Sequence, residues 1–584
     1  MKVAVVGSGV SGLGATWLLN EYSDHEVHLY ESDHRPGGHA NTVHFLPQGK
    51  AQGEGVDVDT GFIVFNPSTY PNFLRFLKLY PPAHEGCRSR LLSWVWGKFS
   101  SGPEADAGIR ILPTEMTFSV SRDHGAFEWA GKNPATIFCQ VRRLLDPQMW
   151  RMIYDILRFN ACARRVLLTP KNNDKKELSI GEYLDNEGYS AAFRNNYLLP
   201  MTAAIWSTPP DKCFADFPAR TLIQFLYNHH LLQIIGKPSW LTIQGGSHKY
   251  VNTILSNLPQ EQLHLSTSVS SLRNINMDGR RPQVVLRTEN GDETTYDHVI
   301  LACHSDTVLD ILRTGGITDE EDRILGQFSW NHNEVVLHCD ENLMPKRRIA
   351  WSCWNYLSFT KAIPLPSGQE EDDYSSDEGL YDKRRKFPER LNIQEIEQVS
   401  LSYGMNDLQH IPEKKYGPVF VTLNPPFDPA EDKIRGRWNY DHPILDAKAV
   451  RAQNEMYKIQ NTRSISYAGA YLKYGFHEDG FTSGLLAACS IDDDQESLPS
   501  SAAFTAALTG MTIPTRKLTV HPPFEIEHAD RHIRLSLRGS ENLGYALVAQ
   551  VFDYFETSGV RGFVGTVGAI ILGIIAWLLG IQEF

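Results

Sequence analysis

Several features that mark other classes of protein are missing from this 584-residue chain. Its eight cysteines are scattered without a Cys-x-x-Cys pair, as in proteins of a reducing compartment, so we expect neither disulfides nor a cysteine zinc site. The net charge is −13 and no basic run exceeds the four residues 383–386, which argues against nucleic acid as a partner. No signal peptide precedes the first strand pattern, and the chain shows no internal repeat.

The composition is that of a folded protein with more than one core. Hydrophobic residues make up 42% of the chain and charged residues 21%, which is the balance of a globular protein rather than a disordered one. Because 584 residues exceed what one ordinary core supports, we predict two interleaved domains with appendages.

The first 31 residues describe a dinucleotide-binding unit. A short apolar strand opens into Gly7-x-Gly9-x-x-Gly12, an apolar-periodic helix follows, and a second strand ends on Glu31. In such units the first glycine makes a tight turn, the second lets the backbone approach a pyrophosphate, and the third lets helix and strand pack closely. The pyrophosphate lies at the helix N-terminus and the acid accepts hydrogen bonds from the ribose. We therefore predict an α/β protein with a Rossmann-type cofactor domain in which these four residues are contacts.

A second signature bears on which dinucleotide is bound, and the family resemblance that it carries implies FAD. Gly37, Gly38 and His39 follow the ribose acid, where the chain resembles the flavin amine oxidase superfamily of monoamine and polyamine oxidases, protoporphyrinogen oxidase and phytoene desaturases. The segment around Gly61 resembles the part of that family that runs under the flavin, and Val269 would meet the adenine. The amino-acid sequence of the matching segments is similar to that of one branch of the superfamily, whose members are described as predicted NAD/FAD-binding proteins.

The flavin motif of the family also recurs near residue 480. Its residues are Tyr467-Ala-Gly469-Ala470-Tyr471 and then the run GFHEDGFTSG at 475–484. In the family a helix begins here and points its N-terminus at the flavin, where N–H groups and the helix dipole stabilise the negative charge of the reduced ring. The resemblance implies cofactor contacts from Gly469, Asp479, Gly480 and Phe481, with the last two presenting their amides.

Three positions depart from the family pattern. His39 stands where the family commonly has Arg, and Ala470 stands where many members have an acid. Covalent members tether the flavin through a Cys near this motif, whereas Cys489 lies beyond the predicted helix start. We therefore expect FAD to be bound non-covalently.

Residues 563–581 contain no charge and read FVGTVGAIILGIIAWLLGI. At helical rise this segment spans about 28 Å, which is close to the hydrocarbon thickness of a bilayer. We predict a single-pass membrane anchor over 561–581, with the catalytic part facing the cytosol. The short tail without basic residues slightly favours the endoplasmic reticulum.

The order of these motifs predicts a discontinuous domain organisation. The FAD-binding pieces are separated by two insertions that would form an α+β substrate domain, including a polar loop that we expect to be disordered. We predict an FAD-binding domain from 1–75, 243–310 and 460–490, a substrate domain from 76–242 and 311–459 with the loop at 366–390, a linker at 491–514 and a small strand-rich lobe at 515–560.

Candidates for the chemistry are few, because the flavin itself performs the hydride transfer. Tyr471, Tyr474 and His477 flank the flavin motif, where aromatic residues line the substrate face in amine oxidases, although core packing is the alternative for each. The polar run 331–333 is interpreted as a turn before a strand. His528 and His532 have metal-like spacing, but the strand-like surroundings argue against the helix they need, and we predict no metal site.

The sequence thus favours a membrane-anchored FAD-dependent oxidoreductase acting on a C–N or C–C bond of a lipophilic substrate, with an amine as the other possible class. The electron acceptor stays open, and O2 is one candidate. Two alternatives remain: a flavin-dependent fatty-acyl isomerase or desaturase, and a scaffold protein that binds FAD without catalysis.

Overall fold

The computed structural model describes residues 1–82, 108–168, 178–206, 217–233, 238–276, 281–359, 400–491, 520–527 and 540–581, which form a mixed α/β fold. The predicted disordered loop 366–390 lies outside these residues, as does the predicted linker 491–514 apart from Ile491. Residues 515–519 and 528–539 of the predicted strand-rich lobe also lie outside them, and its residues 540–557 form a helix rather than strands. The domain boundaries themselves stay predictions.

A five-stranded parallel sheet joins three distant parts of the chain. Three of its strands, which are formed by residues 3–6, 298–301 and 465–467, are buried on both faces, which explains their mostly apolar sequence. Val3 and Val5 face one apolar cluster and Ala4 and Val6 face another, because successive side chains in a strand point to opposite sides. In spatial order the strands are Ile465–Tyr467, His298–Leu301, Lys2–Val6, Glu26–Tyr30 and Leu263–His264.

Smaller sheets lie beside the parallel one. A three-stranded antiparallel sheet is formed by Val269–Ile275, Gln283–Thr288 and Glu293–Tyr296. Two antiparallel pairs are formed by Thr42–Phe45 with Val56–Asp59 and by Ile111–Thr114 with Trp240–Ile243.

A seven-stranded mixed sheet is built from the two segments predicted as insertions. In spatial order its strands are Ile434–Ile444, Ser329–His338, Phe420–Leu423, Ser400–Gly404, Trp354–Ser358, Phe118–Arg122 and Phe127–Ala130. Only Trp354–Ser358 and Phe118–Arg122 pair in parallel within it.

The polar turn predicted at 331–333 is wrong. These residues belong to the strand Ser329–His338, which pairs with Ile434–Ile444 along its whole length. Asn333 is buried there because its amide group is satisfied: its nitrogen lies 2.9 Å from Nδ1 of His442, and its oxygen accepts from Asn424 at 2.7 Å. Polarity in the local sequence therefore reflected a buried hydrogen-bond network rather than a turn.

Helices cover the sheets and fill the first insertion. Within the first insertion a helix begins at Pro147, where Asp146 is the N-cap and accepts from the N–H of Gln148 at 2.9 Å. A 3₁₀ turn, Val141–Leu145, precedes that helix, and a π-helical turn spans Arg194–Leu198. The α-helices are Val10–Tyr22, Pro71–Lys78, Pro134–Ile137, Pro147–Cys162, Arg165–Leu168, Ile180–Asn186, Ala191–Phe193, Leu199–Trp206, Ala219–Asn228, His248–Leu255, Ser305–Gly315, Asp319–Leu325, Met405–Leu408, Glu413–Tyr416, Ala447–Glu455, His477–Cys489, Ser540–Thr557 and Val560–Leu578.

The segments after residue 491 pack in two places. Residues 520–527 lie across the helix Val10–Tyr22, where Phe524 stacks on Trp17 with ring centroids 6.0 Å apart. The helix Ser540–Thr557 packs instead against Pro147–Cys162. The helix Val560–Leu578, which we call the apolar helix, is the one helix among the described residues that is long and apolar enough to cross a membrane.

Candidate functional site

The glycine loop after the first strand is shaped by close backbone packing. Gly7 has a φ of 102°, a conformation that favours glycine, and its N–H donates to the carbonyl of Tyr30 at 2.8 Å. A Cβ at Gly12 would overlap the Gly7 carbonyl oxygen, whereas a Cβ at Gly9 would meet nothing within 4 Å. The first helix therefore starts tight against the strand, with open space in front of Gly9.

Ser8 links this loop to the other predicted cofactor contacts. Its N–H and hydroxyl donate to one carboxylate oxygen of Glu31, at 2.8 and 2.6 Å. Gly37 in turn donates its N–H to the Ser8 carbonyl at 3.1 Å. A Cβ at Gly38 would lie 3.2 Å from Cα of Gly9. Two backbone segments without side chains thus face each other beside an acid, an arrangement that suits the close approach of a pyrophosphate and a ribose.

Val269 and Gly61 lie at the two sides of this loop. The N–H of Thr267 donates to the carbonyl of Glu31 at 2.8 Å, and Val269 begins a strand two residues later. Val269 is therefore close in sequence to a residue that is hydrogen-bonded to the backbone of Glu31. A Cβ at Gly61 would overlap the carbonyl oxygen of His39. The segment after Val56–Asp59 is therefore packed directly on the residue that follows the Gly-Gly pair.

The helix His477–Cys489, which we call the closing helix, begins beside the first helix. A Cβ at Gly480 would lie 2.6 Å from Val10, and one at Gly484 would overlap the carbonyl oxygen of Ser11. The two helices contact each other through these positions, so their N-terminal ends converge. Convergent positive helix ends stabilise negative charge on a ligand placed between them.

The expectation that Gly480 presents a free amide is wrong. Its N–H donates to the carbonyl of Phe476 at 3.0 Å, because it is the fourth residue of the helix and already makes an intrahelical bond. The N–H groups of the first turn, residues 477–479, come before the first intrahelical bond and have no acceptor within the helix. Asp479 caps the helix by accepting from the N–H of Phe476 at 2.9 Å.

Phe481 and Gly469 contribute packing. The Phe481 ring is fully buried against Trp17 in the core below the parallel sheet. Gly469 donates its N–H to the hydroxyl of Ser483 at 2.9 Å, which ties the loop before the closing helix to the helix itself.

His39 lies in a cluster of aromatic rings. Its imidazole stacks on His442 with centroids 5.4 Å apart and meets the edge of Tyr440 at 4.9 Å. Burial first, and then the neighbouring His442 and His304, hold the pKa of His39 well below its usual range. The ring is therefore neutral at pH 7, so His39 does not supply the positive charge of the Arg that the family commonly has at this position.

The three predicted catalytic residues pack in three different places. Tyr471 lies against Phe328 with ring centroids 4.8 Å apart, and Tyr474 meets the edge of Phe225 at 5.7 Å. His477 stacks on Phe62 at 3.7 Å, and its Nε2 lies 2.8 Å from the hydroxyl of Tyr250.

Two of these side chains have properties that bear on chemistry. Burial lowers the pKa of His477 to about 3, which makes the imidazole a weak base at neutral pH. The hydroxyl of Tyr471 is buried and has no hydrogen-bond partner among the described residues. A buried hydroxyl of this kind costs free energy unless a ligand or water satisfies it.

Glu478 has a structural role that the sequence did not reveal. One of its carboxylate oxygens accepts from the N–H of Asn72 at 3.0 Å and the other from the N–H of Phe73 at 2.9 Å, so Glu478 caps the helix Pro71–Lys78. Burial raises its pKa to about 8.

Several residues of the site escaped sequence reasoning. His442, Tyr440 and His304 reach His39 from strands and loops that are hundreds of residues away, and no local motif marks them. Phe62 and Tyr250, which hold His477, are similarly distant from it. The signal that could have found Phe62 is its position directly after Gly61 in the family segment.

Comparisons with known proteins agree with this geometry. The family model described as flavin containing amine oxidoreductase matches residues 10–315, more than half of the chain. No curated protein matches the chain. Among solved structures, a putrescine oxidase double mutant is 12% identical with a TM-score of 0.51, covering 84% of this chain and 98% of that one.

Two further solved structures are similar to the chain at low identity. Cyclohexylamine oxidase from Brevibacterium oxydans is 10% identical with a TM-score of 0.51, and the match covers 84% of this chain and 98% of that one. A fatty acid isomerase from P. acnes is 14% identical with a TM-score of 0.49, covering 82% of this chain and 96% of that one. Because the family model matches more than half of its residues, the chain belongs to the flavin containing amine oxidoreductases and is an FAD-dependent oxidoreductase.

Proposed function

We propose that the protein is a membrane-anchored oxidoreductase that uses non-covalent FAD to remove a hydride equivalent from a C–N or C–C bond of a lipophilic substrate. The observation that carries this proposal is the convergence of the first helix and the closing helix beside the open space at Gly9. When bound there, FAD supplies the hydride acceptor, and the electrons pass on to an acceptor such as O2.

Different residues of the chain would contact different parts of FAD. Gly7, Gly9 and Gly12 admit the pyrophosphate, Glu31 accepts from the ribose, and the first turn of the closing helix faces the flavin. The further contacts that we propose are Gly37, Gly38, His39, Gly61, Val269, Gly469 and Asp479. Gly480 and Phe481 instead pack the closing helix against Val10 and Trp17. Cys489 is the last residue of the closing helix, about 18 Å from its start, which supports non-covalent binding.

The side chains around the closing helix favour a neutral substrate over a cationic amine. Burial lowers the pKa of His442 and His229 to about 4, as it lowers that of His477, so all three rings are uncharged at pH 7. His229 stacks with Phe225, which itself stacks on Phe476. An uncharged, aromatic lining desolvates an apolar chain at little cost but offers no counter-charge to an ammonium group.

We assign Tyr474 and His477 to positioning and shielding the flavin face rather than to proton transfer. The low pKa of His477 and its stacking on Phe62 leave it neutral and fixed. The length and composition of the apolar helix support a location at a bilayer, and we propose the cytosolic face of the endoplasmic reticulum. A lipophilic substrate would partition into the same membrane.

Anaerobic mixing of the purified flavoprotein with substrate pools tests the proposed function. We expect a membrane lipid extract to bleach the oxidised flavin absorbance, whereas a pool of primary and secondary amines leaves it unchanged. Bleaching by amines alone would overturn the assignment of a lipophilic substrate. Flavin that neither pool reduces would favour an acyl isomerase or a scaffold instead.

Replacing Tyr471 by phenylalanine tests whether its buried hydroxyl faces the cofactor. Removal of an unsatisfied hydroxyl should raise the free energy of unfolding of FAD-free protein by about 1 kcal/mol, while the dissociation constant of FAD rises about tenfold. Urea unfolding and fluorescence titration with FAD measure the two quantities. Tyr467→Phe is the control, because that hydroxyl donates to Glu321 at 2.7 Å: the variant should lose stability and keep its FAD affinity. Unchanged FAD affinity in Tyr471→Phe would contradict the assignment.

A further inference from the structure

Large apolar side chains are exposed on the body of the protein around the helix Pro147–Cys162. Val141 is 72% exposed and Leu144 40% exposed in the turn before this helix. Trp150 and Leu157 are 46% and 41% exposed and lie seven residues apart, on one face of the helix. Contiguous exposed apolar side chains of this size mark a surface that contacts a partner or a membrane.

The helix Ser540–Thr557, which we call the docking helix, is attached to this same region through one of its faces. Asp553 accepts from both terminal guanidinium nitrogens of Arg165, at 2.7 and 2.8 Å, and Glu556 accepts from the hydroxyl of Tyr154 at 2.9 Å. Phe552 adds an edge contact with the Tyr154 ring. The docking helix is therefore held in a fixed orientation on the body.

The opposite face of the docking helix is apolar and unpartnered by the described residues. It carries Leu547, Val548, Val551 and Tyr554, each between 47% and 64% exposed. Three of these positions recur at intervals of four and three residues and so form one stripe along the helix. A helix that turns its apolar stripe outward is stabilised when that stripe enters an apolar medium.

The apolar helix continues directly from the docking helix. Gly559, with a φ of 73°, makes the turn between them, and Arg561 pairs with Glu556 at 2.8 Å. The apolar helix also contacts the turn Val141–Leu145 and the helix Pro147–Cys162. Its outward side chains include Phe563 and Trp577, which are 72% and 77% exposed. The anchor and the exposed apolar residues of the body are thus neighbours in space.

We propose that these three elements form one membrane-contacting surface, in which the docking helix and the body residues Val141, Leu144 and Trp150 rest in the same leaflet that the apolar helix enters. The occupant is a lipid bilayer, because the surface is continuous with a helix whose apolar length matches a bilayer. This inference rests on the anchoring part of the proposed function. The folded part of the enzyme would then contact the bilayer surface directly, rather than being connected to the membrane only through the apolar helix.

Quenching of tryptophan fluorescence by brominated phosphatidylcholine tests the surface. The full chain is reconstituted into vesicles of phosphatidylcholine, with and without bromine on the acyl chains, and flotation verifies that it is bound. Bromine quenches a tryptophan only when the two are in near contact. We expect Trp150→Phe to lower the lipid-dependent quenching by about half, because Trp150 and Trp577 are the two tryptophans that the described residues contribute to the surface.

Two further variants separate the possible outcomes. Trp577→Phe should also lower the quenching, whereas Trp438→Phe, on the seven-stranded sheet, should not. If Trp577→Phe lowers it and Trp150→Phe does not, the anchor is correct and the membrane-contacting surface is overturned. If the full chain does not float with the vesicles, the proposed anchoring fails as well. Equal flavin content in all variants verifies that each is folded.

Discussion

Replacing Gly9 by valine is expected to give a folded protein that has lost its flavin, whereas replacing Gly12 by alanine is expected to prevent stable folding. Space is open around a Cβ at Gly9, and its φ of −64° suits any residue, so the new side chain fills the position proposed for the pyrophosphate. A Cβ at Gly12 instead overlaps the backbone of Gly7. A backbone carbonyl cannot move aside as a flexible side chain can, and we expect a loss of more than about 3 kcal/mol.

Flavin absorbance per mole of protein and near-ultraviolet circular dichroism measure the two effects separately. The Gly9 variant should show no flavin absorbance and a native dichroism spectrum, and Gly9→Ala should show an intermediate flavin content. A Gly9→Val protein with full flavin would show that the pyrophosphate binds elsewhere. A Gly12→Ala protein that folds normally would contradict the packing of the first helix on the strand.

Lowering the pH from 6 to 5 is expected to reduce the free energy of unfolding by about 4 kcal/mol, which is the effect of a net uptake of about three protons on unfolding. Burial lowers the pKa of five histidines to between about 3 and about 4, whereas in the unfolded chain each titrates near 6.5. They therefore take up protons on unfolding in this range: His229, His298, His338, His442 and His477.

Two buried carboxyls act in the opposite direction. Burial raises the pKa of Asp59 to about 6 and that of Glu478 to about 8, so both release protons on unfolding at pH 5 to 6. The five histidines outweigh them, and the stability that the neutral rings confer is present above pH 6.5 and lost as the pH falls toward 4. Urea midpoints at pH 7.5, 6 and 5 measure the net effect.

His298 offers a direct check of this account. It is fully buried in the parallel sheet, with Nε2 2.9 Å from the hydroxyl of Ser466, and it lies apart from the aromatic cluster at His39. His298→Gln should flatten the pH dependence by about one proton, or 1.4 kcal/mol per pH unit. His34, whose side chain is 86% exposed, is the control, and His34→Gln should leave the pH dependence unchanged. Equal slopes in the wild type and His298→Gln would contradict the account.

Local patterns in the sequence were sufficient for the elements that bear the glycine motifs. The strand Lys2–Val6, the helix Val10–Tyr22 and the strand Glu26–Tyr30 form where their apolar periodicity predicts them. The strands near 119, 128, 335, 401 and 421 likewise lie in segments of alternating or continuous apolar residues.

The residues that surround His39 and His477 could not be predicted in the same way. His442 reaches His39 only because the ladder between two long strands places it opposite Asn331, a register that is fixed by tertiary pairing. The role of Glu478 depends likewise on the helix Pro71–Lys78, which lies about 400 residues earlier in the chain. Sequence patterns describe neighbours along the chain, whereas these contacts arise across it.

The parallel sheet has a consequence for how the protein is made. Its strand from Ile465–Tyr467 lies at one edge, next to His298–Leu301, while the strand that opens the chain lies in the middle. Pairings across such distances form slowly during folding, because long loops must close before any contact stabilises them. A nascent chain therefore carries an incomplete sheet until Tyr467 has left the ribosome, and it lacks the closing helix until Cys489 has done so. Flavin capture is thus a late event in its synthesis.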